Sequence, residues 1–217
     1  MSEVSSPGIT PSYWDDACKH LSKRDRVMKK LIPQFGEARL QSRGDAFTTL
    51  ARSIVGQQIS VKAAQSVWDK FAALMSGPSY AIDPALVLAQ ETPSLRAVGL
   101  SARKAEYLRD LARHFAEGEV HVSQWQHMDD EAIIDELVAI RGIGRWTAEM
   151  FLIFNQLRAD VWPVDDIGLQ RAVGRHYLAG DTPTPKALRA FGQRFTPSRT
   201  VATWYLWRSL DPETVLY

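Results

Sequence analysis

The chain has 217 residues, 45 % of them hydrophobic, which is enough apolar mass to bury a core in one or two packed lobes. Its 26 basic and 25 acidic side chains nearly cancel, so whole-molecule attraction to a polyanion is weak and any nucleic-acid footprint must be local. Cys18 is the only cysteine, which excludes an intramolecular disulfide, a cysteine-ligated iron–sulfur cluster and a zinc ribbon, and fits a reducing, cytosolic setting.

In chain order, the first ten residues have neither a basic start nor an apolar core and read as a loose tail rather than a signal peptide. Ser12 with Asp15 predicts a capping box that opens a charge-rich helix reaching about Leu31. Asp45 caps the next, with Phe47, Leu50, Ala51, Ile54 and Val55 on one side. Ser60 starts another, carrying Ala64, Val67, Trp68 and Phe71, which Ser76-Gly77-Pro78 ends; the two make a helical hairpin around Gly56-Gln57-Gln58-Ile59. A short helix follows Asp83-Pro84, and Ser101 begins a longer one with Ala105, Leu108, Leu111, Ala112 and Phe115 inward. Helices over about 131–140 and 146–157 flank a tight turn, and Asp165 or Asp166 caps a helix carrying Leu169, Ala172, Val173 and Tyr177. Thr182-Pro-Thr-Pro breaks the chain before two last helices, Lys186 to Arg194 and Thr200 to Leu210. No run alternates as a strand does, and no repeat or Gly/Ser linker interrupts the pattern. An all-α fold is expected. No stretch approaches the roughly 20 apolar residues of a membrane span, and the five histidines, without close metal-ligand pairing, read as surface or lobe-edge residues.

Two features carry chemistry. In Ile140-Arg141-Gly142-Ile143-Gly144-Arg145-Trp146-Thr147 the glycines flank an apolar residue between helices. Both Gly142 and Gly144 are expected to reach φ > 0 and to expose backbone N–H groups where a helix begins, a place suited to a phosphate oxygen. An ordinary interhelical turn is the plainer reading of the same glycines. About twenty residues on lies Asp165-Asp166. A carboxylate at a helix N-terminus stays ionised, because the dipole and donated hydrogen bonds favour its charged form, and it can stabilise a cation or orient a water.

The hairpin with an Asp some twenty residues beyond it resembles the helix-hairpin-helix DNA glycosylase superfamily, and most of all its alkylated-base branch, 3-methyladenine DNA glycosylase II. Stretches 51–64, 98–108, 160–169 and 197–208 agree in order and spacing. The resemblance implies a two-lobed fold with a six-helix middle lobe at 44–153, carrying the helix-hairpin-helix at about 131–153. The second lobe would be built from both chain ends, 1–43 and 154–217. It implies the compact form, without the N-terminal sheet domain of larger bacterial members.

By that resemblance the protein flips alkylated, cationic bases out of duplex DNA and hydrolyses the N-glycosidic bond, starting base excision repair. Asp166, with Arg171 five residues on, matches the catalytic acid. Asp165 shapes the potential beside it, and Trp146, Trp207 and Met150 line the base pocket, where indole faces attract a cationic base. Gln57 or Gln58 plugs the duplex. Gly142, Gly144, Arg145, Thr147, Arg103 and Lys104 hold phosphates. Trp146 stands where strand-cutting relatives carry a nucleophilic Lys, so no Schiff base forms and the enzyme is monofunctional, with water as nucleophile. No cofactor is implied and no metal is required, although related folds bridge a monovalent cation with hairpin carbonyls, here near Gly142. The expected partner is double-stranded DNA containing alkylated bases, bound by a monomer in a bacterial-type cytoplasm at the nucleoid, with no membrane involved. A non-catalytic helix-hairpin-helix DNA-binding module, or an all-α interaction protein, explains the glycines but not the acid together with the pocket tryptophans.

Overall fold

Helices dominate the described residues, 9–42, 44–75 and 81–210 of this computed structural model, and the only β feature among them is an isolated bridge between Ile9 and Ser42. In chain order they are α1 (Trp14–Arg24), α2 (Arg26–Leu31), α3 (Ala46–Gly56), α4 (Val61–Leu74), α5 (Pro84–Ala89), α6 (Thr92–Ala97), α7 (Ala102–Ala116), α8 (Asp130–Val138), α9 (Arg145–Phe154), α10 (Ile167–Tyr177), α11 (Pro185–Gly192) and α12 (Arg199–Leu210). The fold is all-α, as the periodicity predicts. The tail reading for the first eight residues and the terminator Ser76-Gly77-Pro78 lie outside the described residues. No helix among those described is long and apolar enough to cross a membrane.

Helix starts follow the capping residues, each worth about 1 kcal/mol. Asp45 accepts from Thr48 N at 3.0 Å, Ser60 from Ala63 N at 3.3 Å, Ser101 from Lys104 N at 3.2 Å and Asp129 from Ala132 N at 2.8 Å. The first helix departs from expectation. Its N-cap is Tyr13 without a side-chain bond, so the Ser12–Asp15 box does not form. The expected single helix breaks at Asp25, which is extended at φ −132° and caps α2 by accepting from Val27 N and Met28 N. The Tyr177 hydroxyl donates to the same Asp25 oxygen, which adds a long-range partner to the local cap. α6, with Pro93 in its first turn, was not visible as a periodic segment because it spans only six residues.

The chain divides into two units, one of Gly44–Phe151 and one of Met1–Arg43 with Leu152–Tyr217. In the first, Leu50, Ile54, Phe71, Leu108, Leu111, Trp125, Ile133 and Leu137 are fully buried. His114 is buried there too, against the surface reading of the histidines; its Nδ1 lies 2.8 Å from the Asp110 carbonyl. In the second unit α12 is the central helix, buried on every side from Thr200 to Trp207. A helix enclosed in this way needs no polar stripe, which is why its sequence has no clear amphipathic face. Trp204 packs edge-on against Trp14 at 5.2 Å, a core role that its residue type predicts.

Candidate active site

The hairpin is built in the Gly44–Phe151 unit. Gly142 has φ +89°, which an L side chain rarely adopts, and a Cβ there would lie 2.1 Å from Tyr107 Cδ2. Glycine is required on both counts. Gly144 differs from expectation: its φ is outside the left-handed region and a Cβ would meet nothing within 4 Å. It is exposed and its carbonyl accepts the first α9 bond, from Ala148 N at 3.0 Å. The N–H groups of a helix's first turn have no intrahelical acceptor, so an exposed glycine here leaves an anion room to approach them.

Neighbours on α7 hold the hairpin. Asp110 Oδ2 accepts from Arg141 N at 2.8 Å, and the Tyr107 ring fills the space beside Gly142. Burial pushes the Asp110 carboxyl up, but the Arg141 N–H and the Arg113 guanidinium outweigh it and its pKa is lowered. Three expected phosphate ligands are placed differently. Lys104 Nζ donates to the Val55 carbonyl at 2.7 Å, with its pKa lowered by burial, so it braces the end of α3. The Thr147 side chain is buried, which leaves its backbone N–H as the group suited to an anion. Arg145 is held by Glu131 (Nη1 to Oε2, 2.8 Å) and by the buried Glu149 (Nε to Oε1, 3.2 Å), so a phosphate has to compete with carboxylates for it. Arg103 is exposed.

In the α3–α4 turn the two glutamines part company. Gln57 is half-buried and donates from Nε2 to the Gly142 carbonyl at 2.9 Å, whereas Gln58 is exposed at φ +57°. On α9, Trp146 is 37 % exposed and Met150 is buried.

The acid is built in the other unit. Asp166, 7 % exposed, is the N-cap of α10: its Oδ1 accepts from Leu169 N at 2.6 Å. The same oxygen accepts from Trp207 Nε1 at 2.7 Å. Two donors on one oxygen fix the plane of the carboxylate. Asp165 is exposed instead. The segment leading to Asp166 is clamped to the start of α12. Arg199 pairs with Asp160 through Nε at 2.9 Å and Nη2 at 3.0 Å, while Thr200 Oγ1 donates to the Arg158 carbonyl and accepts from Val161 N. Trp207 stacks on Phe154 with centroids 6.0 Å apart and planes 9° from parallel. One indole face and its N–H are therefore engaged, and the indole acts on the acid directly, a role that residue type alone did not suggest.

Sequence reasoning also passed over Gly168. A Cβ there would sit 3.1 Å from Asp166 Oδ1 and 3.2 Å from Trp207 Cδ1. Glycine inside a helix costs about 1 kcal/mol relative to alanine, so its place two residues after an acid was a readable signal. No group of three or more His, Cys, Asp or Glu side chains among the described residues is arranged to hold a metal ion.

The hairpin unit thus presents an exposed glycine at the start of α9, and the other unit a buried carboxylate held by two N–H donors. Comparison with known proteins is specific. Residues 51–198 match the model of the HhH-GPD superfamily of base excision DNA repair proteins, and the chain belongs to that superfamily. It is 32 % identical over 169 residues to a putative DNA-3-methyladenine glycosylase of Bacillus subtilis, an alignment covering 76 % of this chain and 59 % of that protein. The crystal structure of a DNA-3-methyladenine glycosidase from Bacillus halodurans superposes with a TM-score of 0.84 and 33 % identity, covering 94 % of this chain and 93 % of the other. The Schizosaccharomyces pombe 3-methyladenine DNA glycosylase bound to abasic DNA gives 0.77 and 30 %, covering 89 % and 96 %.

Proposed function

We propose that the protein is a monofunctional DNA glycosylase that removes alkylated, cationic bases from duplex DNA, acting as a monomer. The observation that carries this reading is Asp166: a buried carboxylate at a helix start, its Oδ1 fixed by the Leu169 and Trp207 N–H groups. The relatives' names and the abasic DNA in one neighbour support the same substrate class.

Alkylation at a purine ring nitrogen makes the base a good leaving group, so it departs with the bonding electrons without a general acid. The deoxyribose then gains oxocarbenium character. A fixed carboxylate in a buried setting stabilises that charge and accepts a proton from the water that attacks C1′. Trp146 offers an indole face to the cationic base, worth about 1 to 2 kcal/mol when desolvated. The first-turn N–H groups of α9 anchor a phosphate, with Gly144 leaving the approach open. Gly142 O and Ile140 O each accept one hydrogen bond, from Gln57 Nε2 and Ile143 N, and each oxygen has a second lone pair, so a monovalent cation at the hairpin fits the donor set.

Incubation with methylated duplexes tests the reading. Free methylated base should be released, and borohydride should trap no covalent protein–DNA adduct, because Trp146 has no amine. Failure to release base, or a trapped adduct, rejects the respective half of the proposal. A second expectation concerns Trp207. Trp207→Phe keeps an aromatic ring against Phe154 but removes the N–H from Asp166. It should lower single-turnover rates about 10- to 100-fold, the cost of a slackened reactive group, with DNA affinity little changed. Wild-type rates in that variant would remove Trp207 from the mechanism.

A further inference from the structure

We propose that Gln57 is a positioning residue that locks the duplex-plugging turn to the phosphate-gripping hairpin, leaving Gln58 as the side chain that enters the duplex. This rests on the glycosylase reading above. The turn and the hairpin are far apart in sequence yet joined directly: Gln57 Nε2 donates to the Gly142 carbonyl at 2.9 Å. That carbonyl belongs to the peptide whose other end, Ile143 N, donates to Ile140 O at 3.1 Å. The peptide is planar, so bonds at both ends fix its orientation within the hairpin.

A second set of contacts ties the same two loops to α7. Lys104 Nζ holds the Val55 carbonyl in the last turn of α3, the Tyr107 ring lies against Gly142, and Asp110 Oδ2 holds Arg141 N. These residues are spaced by three and lie along one side of the helix, so α7 splints the turn to the hairpin and Gln57 closes the frame across the gap. Its amide is thereby occupied. Gln58 has the opposite setting, exposed at the apex in a left-handed conformation that a non-glycine residue adopts only where the surroundings impose it. It is followed by exposed Ile59 and Val61, apolar side chains suited to bases parted beside a plug. Once a phosphate seats on the hairpin, the direction of Gln58 is set and little ordering remains to oppose insertion.

Binding with isosteric variants tests the division of labour. Gln57→Met keeps length and volume but removes the donor; Gln58→Met alters the apex without touching the frame. A plug acts only where a base is missing or flipped, whereas a frame acts on every duplex. Gln57→Met should therefore weaken binding to undamaged and abasic-analogue duplexes alike, by about tenfold, a factor in line with one lost hydrogen bond. Its plot of log K against log salt should be shallower by about one phosphate contact, while the protein stays folded with its thermal midpoint lowered by no more than about 4 °C. Gln58→Met should bind undamaged duplex like wild type and lose affinity only for the abasic analogue. Unchanged affinity and salt slope for undamaged duplex in Gln57→Met, or loss confined to the abasic analogue, would overturn the assignment. Base release by the wild type is scored separately, so a protein that binds in this pattern but releases nothing counts against the glycosylase reading and not against the frame.

Discussion

Asp166→Asn is expected to cut base release at least about 100-fold while the protein folds as before. The substitution removes charge and almost nothing else. Asparagine is as good an N-cap as aspartate, and its side-chain oxygen can still accept from Leu169 N and Trp207 Nε1. What disappears is the negative charge that offsets an oxocarbenium-like sugar in a setting that is 7 % exposed, where solvent screens little. DNA affinity should stay or improve, since one repulsion against the phosphates is gone. Single-turnover release, thermal unfolding and duplex binding, measured together, separate loss of chemistry from loss of fold. The exposed neighbour gives the contrast: Asp165→Asn should cost less than about tenfold. Normal turnover by Asp166→Asn, or a collapse confined to Asp165→Asn, would move the reaction to another group.

Local signals are legible in this sequence, and contacts between distant segments are not. Asp45, Ser60, Ser101 and Asp166 all cap helices, because a short acceptor followed by an apolar period needs only its own neighbours to act. The capping pattern marks Asp165 or Asp166 alike, and it is the family resemblance that singles out Asp166 as the candidate acid. Asp25 caps α2 by the same local chemistry, but it lies inside a continuous charge-rich pattern that hides the break, and its further bond from Tyr177 comes from far along the chain. The bonds from Trp207 to Asp166, from Gln57 to Gly142, from Lys104 to Val55 and from Asp110 to Arg141 likewise join separate elements. No periodicity encodes them. Residue type suggested Lys104 as a phosphate ligand, but the carbonyls ending a buried helix also seek donors and captured it first. Residue type makes the glycine pair two equal turn formers, and only the fold distinguishes them, by the positive φ of Gly142 and by the Tyr107 ring beside it.

That distinction sets up the other large effect. Gly142→Ala should destabilise the protein by about 3 kcal/mol or more, since it combines left-handed strain of about 1 to 2 kcal/mol with overpacking of about 1 to 3 kcal/mol. The strain comes from φ +89° and the overpacking from a Cβ placed 2.1 Å from the Tyr107 ring. For a chain of this size the thermal midpoint should fall by about 6 to 12 °C. Gly144→Ala should behave in the opposite way. Its new methyl meets nothing within 4 Å and its φ needs no glycine, so stability should stay within about 1 kcal/mol of wild type. The methyl nevertheless projects where a phosphate would approach the start of α9, and duplex affinity should drop about tenfold. Adding Tyr107→Ala to Gly142→Ala removes the collision but not the backbone strain, so the double variant should recover part of what the added methyl lost. If Gly144→Ala binds duplex like wild type while Gly142→Ala melts normally, the hairpin is an ordinary turn and its grip on phosphate must be sought elsewhere.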